Sequence, residues 1–359
     1  MAATMKDLAR ATGLGLATIS SYFNGGNVRE KNRAKIEQAI EELHFEVNEI
    51  ARGLKTNRTR VIGIVIPELN NIFCAEVITE VEDTLRSHGY AVMVCDCRTD
   101  EKREAEAVDF LYHRRVDGLL LMPVGKTGAH LRPFTASGKP VVLIDRRLEG
   151  VDCDCVLVDN QGAAADAVRR LIAAGHRQIG ILAGPEEIYT ARERLSGCSK
   201  ALEEVGIVQE ARLTARGDYT IRGGAEAMKQ LLEHNPKMTA VFVSNYEMTM
   251  GAVIAANELG LRIPEDLSVI GFDNLEFARA SSPRLSIVSQ PTGEIGRQAA
   301  ALLLDRLGEK EISPDAGAGG TERKGRQQPG RVVSLATSFI EGKSVKDLGG
   351  SDETISDGH

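Results

Sequence analysis

Two short patterns in this chain could hold a ligand: the glycine pair in Gly13-Leu14-Gly15 and two pairs of cysteines spaced Cys-x-Cys. A Gly-x-Gly turn binds phosphate when it follows a strand and opens a long helix, with an acidic residue about 20 positions further on. Here the preceding segment, MKDLARAT, is polar and helical, and no third glycine follows at the required spacing. The pattern therefore favours a tight turn between two short helices over a nucleotide-binding loop.

The cysteine pairs, Cys95 with Cys97 and Cys153 with Cys155, are spaced more tightly than the C-x(2–4)-C pairs of most zinc sites. Both pairs lie in strand-like runs, where residues i and i+2 face the same side. We interpret them as reduced thiols that serve as small apolar residues. The chain also has no nucleophile elbow, Walker loop or metal-spaced His/Asp cluster. We therefore predict no catalytic residue, metal or cofactor, and an α/β enzyme is the weaker hypothesis.

Residues 4–24 have the pattern of a helix-turn-helix. Thr4 and Asp7 have the spacing of a capping box at the start of the first helix. Ala9 is small enough for a second helix to cross closely, and Gly13 suits the turn. The second helix would expose a face to the major groove of DNA, and its candidate residues are Leu16, Ala17, Thr18, Ser20, Ser21 and Asn24. The alternative is an ordinary helical hairpin.

The elements that follow predict an α/β body. A third amphipathic helix is predicted over 30–43, then a short basic helical segment at 48–55 and a linker, TNRTR. Beyond residue 61, strand-length apolar runs are predicted in VIGIVIPE, AVMVCDC, GLLLMPV, VVLID, CVLVD, IGILAGP, AVFVSN and SVIGFDN, with helices over 75–88, 101–114, 161–174, 191–205, 221–233 and 247–260. Such alternation is typical of parallel sheets covered on both faces, and it predicts two doubly wound lobes. A single eight-fold barrel is the alternative, and it gives no reason for an attached basic head.

Charge and hydropathy limit the classes of protein to which the chain can belong. Residues 1–60 hold ten Lys or Arg and seven Asp or Glu, a net +3 in a chain whose net charge is −7. The head is therefore the part expected to meet an anionic partner. No apolar run reaches the ~18–20 residues that span a bilayer, so we expect no membrane partner. Because Lys6, Asp7 and Arg10 interrupt any apolar core near the N-terminus, we expect no signal peptide and a cytoplasmic protein.

The motifs, taken in order, resemble the lactose/galactose-repressor family. They are MKDLARATGLGLATISSYFNG, AIEELHFEVNEIARGLKTNRTRVIGIVIPELNNIF, RRVDGLLLMP, PVVLIDR, AAGHRQIGILAGP, TARERLSG, GLRIPEDLSVIGFDN and SIVSQPTGEIG. The resemblance covers about residues 4–308 and the last strand. It implies a DNA-binding regulator, a repressor, with a three-helix headpiece and two lobes like those of periplasmic sugar-binding proteins. A transport-type sugar-binding protein without a transcriptional role is the alternative, against which the basic head and the missing signal peptide argue.

The expected domain boundaries follow from this organisation. The headpiece takes 1–46, the hinge helix and linker take 47–60, and the two-lobed body takes 61–342. Within the body, we assign about 61–161 and 291–308 to the N-lobe, and about 162–290 and 331–341 to the C-lobe. RVVSLATSFIE is predicted to form one last strand. The Gly-rich segment 309–330 and the tail 343–359 are expected to be flexible.

The resemblance also implies DNA-contacting positions. Leu16 and Ala17 at the start of the second helix, and Ser21 one turn later, match positions that read base edges. Relatives often have Arg at the position of Ser21 and a larger polar residue near Ala17, so this helix offers thymine-methyl and hydroxyl contacts instead. Phosphate contacts are implied for Thr4, Thr18, Asn24, Asn32 and Asn48. Leu54 matches a residue that wedges into the minor groove, flanked by Arg52 and Lys55. The alternative for Leu54 is an unpartnered linker residue.

The effector site is likewise implied by the resemblance. Its matching positions are Phe73, Asp145, Arg192, Arg194, Tyr219, Asn245, Tyr246, Asp273 and Gln290. Aromatic faces and hydrogen-bonding groups suit a polyhydroxylated, carbohydrate-related ligand. Many relatives have Asn-Asp where this chain has Asn245-Tyr246, which leaves open a modified, acidic or aromatic-compatible ligand, or no ligand at all. The tail has no leucine heptads, so we predict a homodimer rather than a tetramer.

Overall fold

A computed structural model describes residues 3–23, 26–45, 58–273, 275–308 and 329–349. The chain forms two compact units, Met1–Thr59 and Arg60–His359. Residues 46–57, which include the predicted hinge helix, and 309–328, most of the predicted flexible segment, lie outside the described residues.

The first unit contains helices α1 (Met5–Thr12), α2 (Leu16–Phe23) and α3 (Glu30–Leu43). The predicted capping box is present, because the Thr4 hydroxyl accepts from the Asp7 amide while the Asp7 carboxylate accepts from the Thr4 amide. Gly13 ends α1 with φ of +67°, a left-handed conformation that glycine adopts without strain. The core of this unit consists of Leu8, Ile19, Val28, Ile36, Ala39 and Phe45. The helix-turn-helix prediction is confirmed.

The second unit contains two six-stranded sheets, and we call the lobes built on them the N-lobe and the C-lobe. The strands are β1 (Val61–Ile66), β2 (Ala91–Asp96), β3 (Gly118–Leu121), β4 (Val141–Ile144), β5 (Asp154–Val158), β6 (Ile179–Ala183), β7 (Thr214–Arg216), β8 (Ala240–Val243), β9 (Ser268–Phe272), β10 (Ser286–Ser289), β11 (Val332–Leu335) and β12 (Ser338–Ile340). Strand order is β11-β5-β4-β3-β1-β2 in the N-lobe and β12-β10-β9-β8-β6-β7 in the C-lobe. Within the part of the chain that the structure describes, the paired strands run parallel except β10 and β12.

The helices cover both faces of these sheets. They are α4 (Ile72–Ser87), α5 (Glu101–His113), α6 (Arg132–Ala136), α7 (Asn160–Ala173), α8 (Tyr189–Glu203), α9 (Ile221–His234), α10 (Tyr246–Glu258), α11 (Leu275–Ala280) and α12 (Thr292–Leu307). Strands such as β3 and β8 are buried along their whole length because helices pack on each side. The predicted fold of two doubly wound lobes is confirmed, and the eight-fold barrel is excluded.

The four cysteines of the two Cys-x-Cys motifs pack on one hydrophobic cluster of the N-lobe. Cys97 and Cys155 are buried there, and Cys95 and Cys153 pack against it at half-buried positions. Each pair therefore faces one side of its sheet, as the strand pattern indicates. Burial raises the pKa of the Cys155 thiol to about 12. These side chains serve as apolar packing groups.

The prediction of one last strand within the C-lobe is wrong. The segment forms two strands, of which β11 pairs with β5 in the N-lobe and β12 pairs with β10 in the C-lobe. The link between them is Ala336-Thr337, with no glycine, proline or charge to mark a boundary. Because each half has its own apolar residues, the sequence reads as continuous although the chain passes from one lobe to the other.

The prediction of a flexible tail is wrong for residues 343–349. Ser344 is completely buried, and its hydroxyl donates to the Val269 carbonyl at 2.6 Å and accepts from the Ser286 amide at 2.7 Å. The Leu348 amide donates to the Ala174 carbonyl at 2.8 Å. The segment is polar, so it gives no hydrophobic signal, and backbone hydrogen bonds hold it instead. Residues 350–359 lie outside the described residues.

Two short strands, β7 and β10, were not predicted. β7 has only three residues at the edge of its sheet, and β10 follows a proline-containing turn.

Among the described helices, none is long and apolar enough to cross a bilayer.

Candidate functional site

The start of α2 presents an exposed surface. The amides of Thr18 and Ile19 donate to the Gly15 carbonyl at 2.9 and 3.2 Å, so the helix begins directly after the turn. Ile19 faces the core and is completely buried, whereas Leu16 is 48% exposed and Ala17 is exposed beside it. An apolar side chain that is half exposed at the start of a helix contributes little to the stability of the fold.

The other predicted DNA-contacting residues differ in their surroundings. The Thr4 hydroxyl is engaged with Asp7 in the capping box, and Thr18 and Asn32 are half-buried. Ser21 is also half-buried, and its carbonyl accepts from the Gly26 amide at 2.8 Å, so the chain turns tightly against the end of α2. Asn24, Asn48, Arg52, Leu54 and Lys55 lie outside the described residues.

A cleft between the two lobes brings together all but one of the predicted effector residues. Its lining includes Phe73, Asp145, Arg194, Tyr219, Asn245, Tyr246, Asp273 and Gln290. Asp145, Asn245 and Asp273 follow strands β4, β8 and β9 by one or two residues. The carboxyl ends of parallel strands meet at one edge of a sheet, and the two edges face each other here.

Arg192 does not line this cleft. It is exposed, and its guanidinium donates to the carbonyls of Glu186 at 3.1 Å and Glu187 at 2.8 Å. Residues two apart on an α-helix point about 200° apart, so Arg192 and Arg194 cannot face the same side of α8. The sequence match alone does not show which of two arginines on one helix faces the cleft.

Four of the eight described non-glycine residues with positive φ line the cleft. Thr99, Asp145, Tyr219 and Asp273 line it with φ values of +54°, +70°, +65° and +61°. Positive φ is uncommon for residues other than glycine, and a β-branched residue such as Thr99 adopts it rarely. Strained backbone of this kind collects at binding sites, where the surrounding fold holds it in place.

Arg194 is fixed at the base of the cleft. It is 4% exposed, and its Nε donates to Asn160 Oδ1 at 2.7 Å while Nη1 donates to the Ser244 carbonyl at 2.6 Å. Its guanidinium also lies 3.7 Å from the centre of the Phe272 ring. A cation held by hydrogen bonds and an aromatic face keeps one orientation, which suits the recognition of a ligand.

Asp273 and Gln290 form a hydrogen-bonded pair beside Arg194 in the lining. Gln290 Nε2 donates to Asp273 Oδ2 at 2.7 Å, and burial raises the pKa of Asp273 to about 6 against the opposing effects of Arg194 and Gln290. Gln290 Oε1 and the Tyr219 hydroxyl are both buried and have no hydrogen-bond partner among the residues that the structure describes. Buried polar atoms are normally paired, so these two are the groups that a bound ligand would satisfy.

Tyr246 has an aromatic neighbour of its own. Its ring meets the Phe277 ring edge-on, with centres 6.1 Å apart and planes at 67°. The side chain lines the cleft and is therefore also available to a ligand on one side. It narrows the cleft without closing it.

Glu247 and Asn71 also line the cleft, and sequence reasoning missed them. Glu247 accepts from Asn71 Nδ2 and from Asn245 Nδ2, each at 2.6 Å. Burial, reinforced by the nearby charges of Asp273 and Glu68, raises the pKa of Glu247 to about 7. The available signal was positional, since Asn71 and Asn245 each stand at the N-cap of a helix that follows a strand.

Comparison with known proteins agrees with this architecture. Residues 4–48 match the family model of bacterial regulatory proteins of the lacI family, and residues 59–330 match that of periplasmic binding proteins and the sugar binding domain of the LacI family. The HTH-type transcriptional repressor CytR of Escherichia coli K12 is 37% identical over 313 residues, which cover 85% of this chain and 90% of that protein. Catabolite control protein A of Priestia megaterium is 33% identical over 314 residues, covering 87% and 95%.

Solved structures give the same result. The lac repressor dimer bound to operator and the anti-inducer ONPF superposes with a TM-score of 0.81 at 25% identity, covering 96% of this chain and 100% of that one. The transcriptional regulator CelR in complex with cellobiose superposes with a TM-score of 0.70 at 28% identity, covering 95% and 99%. This chain therefore belongs to the LacI family of bacterial regulatory proteins, transcriptional repressors that join a helix-turn-helix DNA-binding domain to an effector-binding domain.

Proposed function

We propose that this protein is a homodimeric repressor whose affinity for a palindromic operator is set by a neutral, hydroxyl-rich effector bound between the lobes. The observation that carries the proposal is the cleft itself, where Tyr219 and Gln290 present buried, unpartnered polar atoms among strained residues. Leaving such atoms unpaired costs roughly 1–3 kcal/mol each, which a hydroxylated ligand would recover.

The chemistry of the lining supports a neutral effector over an acidic one. Its carboxylates, Glu68, Asp145, Asp218, Glu247 and Asp273, outnumber its two cations, Arg146 and Arg194. Arg146 also donates to Asp145 at 3.3 Å, which offsets part of its charge. An anion would therefore meet net repulsion, while hydroxyl groups can donate to the carboxylates.

Aromatic residues supply the remaining recognition. Phe73 from the N-lobe and Tyr219 and Tyr246 from the C-lobe can stack on the faces of a sugar ring. Two related structures hold cellobiose and ribose, both neutral and rich in hydroxyl groups. We assign direct contacts to Phe73, Asp145, Arg194, Tyr219, Asn245, Tyr246, Asp273 and Gln290, and none to Arg192.

For DNA recognition we propose that Leu16 and Ala17 contact thymine methyl groups in the major groove. Ser21 would read a base edge through its hydroxyl. Phosphate contacts are proposed for Thr4, Thr18, Asn24, Asn32 and Asn48, and Leu54, between Arg52 and Lys55, would wedge into the minor groove.

The homodimer is supported by exposed apolar residues in the C-lobe. Ile221 and Ile254 are 39% and 40% exposed on α9 and α10, which pack closely against each other. We place these two side chains in the proposed subunit interface, where a partner subunit would cover them. A dimer would place two headpieces on two half-sites of a palindrome.

Selection of bound duplexes from random DNA, followed by a thermal-shift screen of neutral sugars and sugar acids, tests the proposal. We expect a palindromic consensus and a stabilising neutral ligand. Tyr219→Phe should keep its unliganded stability but lose ligand affinity by about fivefold or more, because its hydroxyl has no protein partner. Arg192→Ala, outside the cleft, is the matched control. A consensus without symmetry, or stabilisation by sugar acids alone, would overturn the proposal.

A further inference from the structure

The Glu247 carboxylate, in the lining of the cleft, joins the two lobes. Glu247 Oε1 accepts from Nδ2 of Asn71, the N-cap of α4 in the N-lobe. Glu247 Oε2 accepts from Nδ2 of Asn245, the N-cap of α10 in the C-lobe. Both distances are 2.6 Å, so the carboxylate bridges the first turns of two helices on opposite sides of the cleft.

The orientation of both amides is fixed by helix capping. Asn71 Oδ1 accepts from the Cys74 amide at 3.2 Å, and Asn245 Oδ1 accepts from the Met248 amide at 3.1 Å. Turning either amide over would remove its cap. Each asparagine can therefore present only N–H groups to Glu247, and the bridge requires an acceptor at both oxygens.

The nearby charged groups that act on Glu247 oppose its ionisation. Asp273 after β9 and Glu68 after β1 both disfavour a negative charge on Glu247. The remaining charged side chains of the lining are Asp145, Arg146, Arg194 and Asp218. With two carboxylates nearby, the Glu247 backbone amide and the side-chain amides of Asn71 and Asn245 are the donors that favour the ionised carboxylate.

We propose that Glu247 is a positioning residue that holds the effector cleft closed by linking the N-caps of α4 and α10. Its consequence for operator binding rests on the proposed function, but the closure itself does not. A ligand in the cleft would then act on an existing contact between the lobes, either completing it or competing for its donors.

The test swaps the hydrogen-bond donor at position 71 with the acceptor at position 247. Asn71→Ser keeps a capping oxygen for α4 but loses the longer amide group that reaches Glu247, and Asn71→Asp keeps the cap while placing a carboxylate against Glu247. In Asn71→Asp/Glu247→Gln, the new amide can donate to position 71 and accept from Asn245. Asn71→Asp/Glu247→Ala relieves the repulsion but cannot form the bond.

Amide hydrogen exchange of the full chain is measured without effector or DNA. Slow exchange in the segments around 67–74, 145–147 and 245–248 indicates a closed cleft. At about pH 9, well above the wild-type Glu247 pKa of about 7, which a second carboxylate at position 71 would raise further, we expect Asn71→Asp to exchange about tenfold faster there, and Asn71→Ser less so. Asn71→Asp/Glu247→Gln should return to the wild-type rate of hydrogen exchange, and Asn71→Asp/Glu247→Ala should not. Thermal unfolding of each variant checks that the lobes fold.

Wild-type exchange in Asn71→Ser and Asn71→Asp would overturn the proposal. So would equal exchange in the Gln and Ala double variants, because relief of repulsion alone would then explain the recovery. Since the measurement uses no ligand, a failed effector proposal would leave its outcome unchanged.

Discussion

The recognition helix and the effector cleft present their functional side chains in opposite ways. Leu16 and Ala17 are neighbours on one helix, exposed to solvent. In the cleft, Arg194, Asn245 and Gln290 come from three separate segments and are less than a tenth exposed. The first surface is defined by a local pattern, whereas the second exists only when both lobes are folded and strained loops are held in place.

The two regions also differ in the size of the core behind them. Six buried residues between Leu8 and Phe45 form the core of the headpiece. Each lobe instead packs helices on both faces of a six-stranded sheet. A small domain buries a smaller fraction of its surface, so the headpiece should be the more easily unfolded unit.

Replacing a headpiece core residue should have the largest effect and separate the two regions. Ile36 is completely buried, and Ile36→Ala should cost about 3 kcal/mol, enough to unfold a small helical unit. DNA binding should be lost while the thermal unfolding of the lobes is unchanged. One shared transition that moves as a whole would show that the regions are not independent.

A buried ion pair in the N-lobe should give the next largest effect. Asp154 accepts from Arg306 at 2.6 and 2.8 Å and from Arg331 at 3.1 Å. Burial alone would raise the pKa of Asp154, but these bonds hold it at about 2. The stabilisation is therefore present at neutral pH and is lost as pH falls from about 4 towards 2.

Asp154→Asn should lower the free energy of unfolding of the lobes by about 3 kcal/mol, because two cations lose their shared counter-charge. Asp305→Asn is the matched control, since Asp305 is 67% exposed and pairs with Arg331 at 2.7 Å. It should cost less than about 1 kcal/mol. Chemical denaturation measures both, and equal losses would contradict the assignment.

The cleft should show the opposite dependence on pH. The pKa of Asp273 is raised to about 6 and that of Glu247 to about 7, so the folded lobes bind these protons more tightly than the unfolded chain. The free energy of unfolding should therefore fall as pH rises from about 4 to about 7.

Asp273→Asn should flatten part of this slope and stabilise the lobes by about 1–2 kcal/mol near pH 8. Asn tolerates the φ of +61° at this position and can still accept from Gln290. Denaturation at several pH values measures the slope. An unchanged slope would mean that the Asp273 carboxyl does not titrate in this range.

The smallest expected effect lies on the exposed surface. Leu16→Ala should leave headpiece stability unchanged and weaken binding to the selected operator by about fivefold, through loss of an apolar contact to a thymine methyl. Val208→Ala is the control, because Val208 is 80% exposed in the body. Fluorescence anisotropy measures both. An unaltered affinity in Leu16→Ala would remove this residue from the interface.

The success of sequence reasoning follows the same division. The capping box at Thr4, the turn at Gly13 and helix α3 are local patterns, and each is where the sequence predicts it. The central strands are also predictable, because burial on both faces requires continuous apolar runs.

The failures involve features set by tertiary structure. Nothing at Ala336-Thr337 shows that the chain changes lobes. The hydroxyl of the buried Ser344 bonds to backbone groups of two strands, which a polar sequence does not indicate. Arg192 and Arg194 have the same side chain but opposite helix faces. Glu247 matters because Asn71 lies opposite it, 176 residues away in the chain.

The most direct test of the account is the operator affinity of the full chain with and without a neutral sugar found to bind it. We predict a change of about 5–150-fold, the usual range for coupled sites, which Tyr219→Phe weakens and Arg192→Ala preserves. A bound sugar that leaves operator affinity unchanged, or an equal loss of coupling in both variants, would contradict the claim that the cleft controls DNA binding.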